Sequence, residues 1–314
     1  MRARLAQLNS TRRIPLQNYA SLNFNVLALD IVLQHSFPIP SRRGVTVKDA
    51  VQLEVDAGIA RVSINRPKAM NAIHPDIMGP LADALRRADR DNGVRVLVLS
   101  GVGEHFGAGY DLKADWIAQY GREPMGARQM LMDCMKLEFT PWDCAKPVIA
   151  MVRGYCLEGS CELAMMCCVT IASETAHFGE PEIRFSTSPP VAVMPWIVGL
   201  KKARELLYTG DIIDAQEALR IGMVNRVVAD DMLEQETLKY AKRVAAISPE
   251  GLITTKAAIN KGAEIAGFRQ AMQYGVETGA ILDSTETETY KKFNEIRDRE
   301  GLPAAIRWRE KQFE

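Results

Sequence analysis

Glu162 is the residue that first suggests chemistry in this 314-residue sequence. It stands in GYCLEGSCELAMMCC, residues 154–168, where flexible residues (Gly154, Gly159, Ser160) run into an apolar, helix-forming block. Gly159 falls at the start of that helix, where the missing side chain lets a ligand reach the backbone. The first N–H groups of a helix lack internal acceptors and carry partial positive charge. A carbonyl oxygen held there is polarised, as an oxyanion hole requires. Glu162 comes three residues later and projects from the same side of the first turn. A polarised carbonyl beside a carboxylate is enough for proton transfer next to an acyl group. The same carboxylate also suits a structural role, complementing the helix dipole, and this stretch alone leaves both open.

Two further stretches add to it. EHFGAGYDLKA, residues 104–114, ends a buried strand in a turn whose Ala108 and Gly109 can bring a second backbone N–H forward. AHFGEPEIRFSTSPP, residues 176–190, offers Glu180 and Glu182 around Pro181. Two carboxylates facing one site can divide acid and base duties.

The elements that must position these groups are legible in the pattern. VQLEVDAGIARVSIN (51–65) alternates around Gly58 and reads as a hairpin. Residues 76–90 carry apolar side chains at helical spacing, and VRVLVLSG (94–101) is a buried strand. KPVIAMVRG (146–154) repeats that strand pattern and leads through the opening stretch into a helix at 160–168. VTIAS (169–173) is another strand, and from 201 onward the chain reads as mostly helical. The order points to an α/β fold of repeated ββα units. A domain of 46–250 is followed by a helical region, 251–314.

Composition narrows the function. Net charge is zero, which argues against a general affinity for nucleic acid. No run of about twenty apolar residues is present, so no membrane span is expected. The six cysteines (134, 144, 156, 161, 167, 168) and four histidines (36, 74, 105, 177) show no metal-ligand spacing. The cysteines read as buried free thiols in a reducing compartment, and His105 and His177 as structural. Residues 1–45 differ from the rest: Arg2, Arg4, Arg12, Arg13, Arg42 and Arg43 face one acid, Asp30. This N-terminal extension suits either a mitochondrial transit peptide or a segment with no targeting role. The compartment is then the cytoplasm or, with a transit peptide, the mitochondrial matrix.

Five separated motifs over residues 46–314 resemble the crotonase family, the enoyl-CoA hydratase/isomerase superfamily. They are NRPKAMNAI (65–73), FGAGYDLK (106–113), KPVIAMVRGYCLEGSCELAMMC (146–167), FGEPEIRF (178–185) and LLYTGDIIDAQEALRIGMVNRVV (206–228). The resemblance implies a spiral of ββα turns and a C-terminal helical trimerisation region, with assembly as a homotrimer or homohexamer. It implies acyl thioesters of coenzyme A as substrates, in the chemistry of fatty acid metabolism, with no metal or redox cofactor. Ala108 and Gly159 match the positions whose N–H groups hold the thioester carbonyl. Glu162 and Glu182 match the two catalytic glutamates of the hydratases. Arg66, Lys68 and Ala69 lie where the family contacts coenzyme A. Tyr110, Asp111 and Leu112 line the turn where adenine packs, although Asp111 also suits a helix cap and Lys68 a solvated surface position.

The sequence departs from the hydratases at three points. Glu158 and Ser160 replace the first and third glycines of the glycine-rich turn, and a glutamate there implies strained backbone. Pro190 falls where a glycine N–H helps hold the site water, and proline has no such donor. Val191, Val193, Met194 and Trp196 make that neighbourhood apolar. The expected reaction is hydration of a 2-enoyl-CoA to the 3-hydroxyacyl-CoA. Another crotonase reaction (double-bond isomerisation, dehydration of a 3-hydroxyacyl-CoA, or hydrolysis) and a non-enzymatic, RNA-associated role for the scaffold stay open beside it.

Overall fold

The computed structural model describes residues 47–187, 189 and 191–313. The N-terminal extension and Pro190 lie outside these described residues. Strands β1 (Val51–Asp56) and β2 (Ile59–Ile64) form the expected antiparallel hairpin around Gly58. Helix α1 (Pro75–Arg90) buries Ile77, Leu81, Leu85 and Ala88 along one stripe, as its periodicity requires. Strand β3 (Val96–Gly101) follows, then α2 (Trp116–Tyr120) and the long α3 (Pro124–Asp143). Next come β4 (Val148–Val152), β5 (Tyr155–Leu157), α4 (Gly159–Met165), β6 (Val169–Ser173) and β7 (His177–Gly179). After α5 (Met194–Val198) and α6 (Leu200–Thr209) the chain forms β8 (Ile213–Asp214), α7 (Ala215–Arg220), β9 (Arg226–Val228) and α8 (Leu233–Ala245). It continues as α9 (Pro249–Ile265), α10 (Phe268–Asp283), α11 (Glu288–Glu300) and α12 (Leu302–Glu310).

The strands divide between two sheets. The larger runs β1-β2-β3-β4-β6-β9 and is parallel except for the opening hairpin. The smaller runs β5-β7-β8. From β4 onward each turn of the chain lays one strand in the large sheet and a short one in the small sheet, and helices complete the turn. Val96, Val98, Ile149 and Ile171 face Leu233 and Ala241 of α8 on one side of the large sheet. Leu97, Leu99, Val148 and Ala150 are equally buried on the other. Burial on both faces explains the uninterrupted apolar runs of β3 and β4.

The structure adds elements that the sequence reading did not anticipate. Strands β8 and β9 lie in the stretch expected to be helical, and two or three residues are too few to show a period of two. Helix α3 was not foreseen, and it contains Pro141. The C-terminal helices pack on it: Phe268 stacks on Trp142 with ring centroids 4.3 Å apart, and Arg128 holds Glu277 at 2.7 Å.

The sheet order explains where the polar groups gather. The turn after β3, the β5–α4 junction after β4 and the Glu180–Glu182 stretch after β7 leave neighbouring parallel strands at the same end. Groups more than fifty residues apart in sequence thereby meet.

Candidate active site

The 106–111 turn and the start of α4 interlock through three glycines. An added Cβ at Gly107 would overlap the Ser160 hydroxyl, one at Gly109 the Glu158 carboxylate, and one at Gly159 the Tyr110 ring. Hydrogen bonds follow the same contacts. The Gly109 N–H donates to Ser160 Oγ at 3.2 Å, and the Tyr110 N–H donates to Glu158 Oε2 at 2.5 Å. Glu158 adopts φ 51°, so the strain expected of a glutamate at this position is present. Its bond to the Tyr110 amide is what that conformation secures.

Ala108 departs from the expectation. Its N–H donates to the Met70 carbonyl at 3.0 Å and so already has an acceptor within the protein. The physical reason lies in the 66–71 loop, where Met70 and Asn71 both have positive φ, at 50° and 55°. This conformation places the Met70 carbonyl against the turn. Gly159 does open α4, as expected, and its N–H has no acceptor among the described residues. The Tyr110 ring covers that helix start. Of the two amides expected to form the hole, one is therefore open and the other is occupied.

Glu162 and Glu182 line one cavity of about 780 Å³, together with Tyr110, Leu112, Glu158 and Asp283. Both side chains are buried, at 0% and 4% exposure. The Val191 N–H donates to Glu162 Oε1 at 3.0 Å, while Glu162 Oε2 and both oxygens of Glu182 have no partner among the described residues. Burial pushes the Glu162 carboxyl well above the usual carboxylate range, and Glu138, Glu180 and Glu182 push it further. Burial raises Glu182 as well, followed by Glu180 and Glu158. Glu158 is pushed up to about 8 by burial, against the opposing bond from the Tyr110 amide. Asp283 is pushed up to about 6 by burial and accepts from Thr187 Oγ1 at 2.7 Å. Such groups can hold protons near neutral pH and release them on demand.

Two further buried acids join this cluster: Glu180, which the sequence offered beside Glu182, and Glu138, which it did not mark. Glu180 is 1% exposed, and neither oxygen has a partner. Glu138, on α3, is fully buried and accepts the Tyr110 hydroxyl at 2.6 Å. Nothing marks Glu138 in the sequence, because one acid in a helix ordinarily faces solvent. Pro190 lies outside the described residues. The amide that the sequence reading found missing there has a neighbour, since the Val191 N–H, one residue later, reaches Glu162. Val191, Val193 and Met194 are buried as expected, whereas Trp196 is 41% exposed and packs on Phe268.

The residues expected to meet coenzyme A divide. Arg66 is engaged within the protein: its guanidinium donates to the Ala72 carbonyl and pairs with Asp111 at 2.8 Å, with both side chains largely buried. This gives Asp111 a structural partner other than the helix cap expected of it. Asp111 does not cap a helix; α2 is capped by Asp115, which accepts from the Ala118 N–H at 2.9 Å. Arg66 and Asp111 fix the turn to the 66–72 loop. Lys68 is exposed on the turn Pro67–Ala69, and Ala69 is half-buried beside it. Leu112, 51% exposed, lines the cavity.

Among the described residues no group of His, Cys, Asp and Glu side chains is arranged to hold a metal ion, and no helix is long and apolar enough to cross a membrane. The six cysteines are free thiols, but Cys168 is exposed rather than buried. His105 accepts from the Tyr155 N–H at 3.2 Å and stacks on that ring.

The arrangement has counterparts in known proteins. An enoyl-CoA hydratase/isomerase of Xanthobacter autotrophicus Py2 superposes with a TM-score of 0.82 at 39% identity, covering 84% of this chain and 98% of that one. A crotonyl-CoA hydratase of Syntrophomonas wolfei is 34% identical over 265 residues, covering 83% of this chain and 96% of its own length. An enoyl-CoA hydratase of Mycobacterium smegmatis superposes with a TM-score of 0.78 at 27% identity, covering 84% and 94%. The model of the enoyl-CoA hydratase/isomerase family matches residues 54–300. The chain belongs to the enoyl-CoA hydratase/isomerase family and is an enzyme of that family.

Proposed function

We propose that this enzyme is a lyase that adds water across the C2=C3 bond of a 2-enoyl-CoA thioester, giving the 3-hydroxyacyl-CoA. The observation that carries the reading is the pair Glu162 and Glu182, buried on one cavity with unpartnered oxygens. Water in such a pocket needs polar partners, and these oxygens supply them. The thioester carbonyl takes the Gly159 N–H and, by displacing the Met70 carbonyl, the Ala108 N–H. Enolate character at the thioester is stabilised there as hydroxide adds at C3. One glutamate removes the proton from water, and a proton reaches C2 from the other. Lys68, Ala69 and Leu112 edge the path of the coenzyme A moiety, and Tyr110 closes the acyl end.

A second reading, double-bond isomerisation, draws on the buried Val191, Val193 and Met194 beside Glu162. Isomerisation needs a base and no water. Incubation with 2-enoyl-CoA and 3-enoyl-CoA thioesters, followed by mass spectrometry, separates the two. A gain of one water is expected from the 2-enoyl substrates; unchanged mass with a moved double bond favours the isomerase.

The reading extends to assembly as a homotrimer or homohexamer, with residues 46–250 as the catalytic core and 251–314 supplying the contact region. Ile259, Ile265, Tyr274 and Ile281, all more than 65% exposed on α9 and α10, are apolar side chains such a contact would cover. Light scattering on the purified protein tests it.

A further inference from the structure

The cavity holds more than the reacting bond needs. Its volume, about 780 Å³, suits a drug-sized ligand rather than a crotonyl group alone. Beyond Glu162 and Glu182 its lining is of two kinds. Trp116 and Ile117 of α2, Met130 and Leu131 of α3, and Phe185 and Phe293 present apolar surface. Glu158, Asp283 and Asn294 present hydrogen-bond acceptors. A hydrocarbon chain satisfies the first kind and leaves the second without a partner.

Each of these acceptors has capacity to spare. Glu158 takes the Tyr110 N–H on Oε2 and Asp283 takes the Thr187 hydroxyl on Oδ1. Their other oxygens, Oε1 and Oδ2, take no bond among the described residues. Asn294 Oδ1 is buried with no partner among them. The three come from separate elements: Glu158 precedes α4, Asp283 ends α10 and Asn294 lies on α11. Glu158 also holds its φ of 51° at the cavity, and strain of that kind clusters where ligands are clamped.

The basic residues on the lining are engaged or face outward. Arg122 pairs with Glu286 at 2.6 Å and Arg297 with Asp298 at 3.1 Å, with all four side chains at least 40% exposed. Lys113 is exposed. The interior acceptors therefore await a donor from outside the protein.

We propose that the enzyme prefers a long acyl group carrying a hydroxyl away from the thioester, with Asp283 as the residue that selects it and Glu158 as its second contact. This rests on the reading of the Glu162–Glu182 cavity as the enoyl-CoA site. Tyr110 closes the cavity beside Gly159, so the chain runs along the apolar surface of α2 and α3. Burial, with the Asp283 charge behind it, holds Glu158 up to about 8, while Asp283 is pushed up to about 6. At neutral pH Glu158 then carries a proton and Asp283 is mostly ionised. A hydroxyl can accept from the one and donate to the other, whereas an ammonium group has no acceptor to offer Glu158.

Calorimetric titration with saturated acyl-CoA thioesters tests this without turnover. Decanoyl-CoA is compared with derivatives bearing one hydroxyl, at each carbon from C5 to C10 in turn, and with 10-aminodecanoyl-CoA. At least one hydroxyl derivative should bind about tenfold tighter than decanoyl-CoA, as a hydrogen bond to a charged acceptor allows. Asp283→Leu should bring that ratio close to one. Asp283→Asn, nearly isosteric but uncharged, should reduce it severalfold, and it decides the matter if Asp283→Leu does not fold. Decanoyl-CoA binding as tightly as every hydroxyl derivative overturns the proposal, as does tightest binding by the amine. A hydroxyl advantage unchanged in both variants overturns the role of Asp283. If a hydroxyl derivative keeps its advantage while no 2-enoyl-CoA is hydrated, the hydratase reading fails and the acyl preference stands.

Discussion

The two sides of the site treat their polar groups in opposite ways. On the 106–111 turn every backbone N–H has an acceptor: Phe106 on Arg153, Gly107 on Tyr155, Ala108 on Met70, Gly109 on Ser160, Tyr110 on Glu158 and Asp111 on Ile73. On the facing wall, oxygens of Glu138, Glu162, Glu180 and Glu182 are buried without a partner. A satisfied wall stabilises the fold, because each buried amide left open would cost about 1–3 kcal/mol. An unsatisfied wall lowers stability and keeps capacity for substrate, water and protons. The contrast assigns architecture to the turn, apart from the Ala108 N–H proposed to exchange Met70 for substrate, and proton chemistry to the acids, and substitutions on each side should differ in kind.

The largest effect belongs to the acid wall. Glu162→Gln and Glu182→Gln should each lower kcat about a thousandfold, ~4 kcal/mol in the barrier, with little change in melting temperature. Both groups are near-isosteric with glutamine, so steady-state kinetics beside a melting curve will separate chemistry from folding. Near-normal turnover by Glu162→Gln alone would shift the reading to an isomerase with Glu182 as its base.

How much of this contrast was legible in sequence follows from the type of signal each part sends. β3, β4 and the β1–β2 hairpin announce themselves by apolar runs and alternation. Glu162 and Glu182 stand beside glycines and proline in recognisable motifs. Glu138 does not, because the burial of a lone helical acid depends on which elements cover it, a property of packing alone. Asp111 was given a structural role with the wrong partner, a helix start rather than Arg66. A motif fixes position along the chain, while the ion pair between them spans forty-five residues and forms only when the 66–72 loop meets the turn. The acceptor of the Ala108 N–H, the Met70 carbonyl, was equally hidden, since it is set by a positive φ that Met and Asn do not advertise.

The turn wall answers with stability. Asp111→Ala leaves the Arg66 guanidinium buried and unpaired, and should destabilise by about 3 kcal/mol. Denaturant unfolding should show this as a lower midpoint at unchanged slope. An Asp111→Ala variant with wild-type stability and a raised KM would mean that Asp111 faces substrate after all. Gly109→Ala comes next, at about 2 kcal/mol, because its φ of 86° disfavours a Cβ and that Cβ would overlap Glu158. If Glu158 yields instead, the same variant should fold normally and free the Tyr110 amide.

The smallest effect, per unit of pH, bears on the whole contrast. Burial raises Glu138 and Glu158 to about 8 and Asp283 to about 6, all above their unfolded values. Between the unfolded and folded values the native state therefore binds more protons than the unfolded chain. Stability must then fall as pH rises, in full supply below the unfolded values and lost through about 6 and then about 8. Glu217 on the surface works the other way: bonding from Arg220 lowers it to about 2, so its contribution is lost only in acid. A protein whose acids were mostly of the second kind would keep a level stability from pH 5 to 8 and lose it only below that range. Here thermal unfolding at constant ionic strength should show the melting temperature declining over that range, as stability falls by up to ~1.4 kcal/mol per pH unit for each proton released. Glu138→Gln removes one of these protons, so its decline should be shallower, and the variant should overtake wild type at the alkaline end. A melting temperature that stays level or rises from pH 5 to 8 would show that these carboxyls are not held protonated in the native state and dissolve the distinction between the walls.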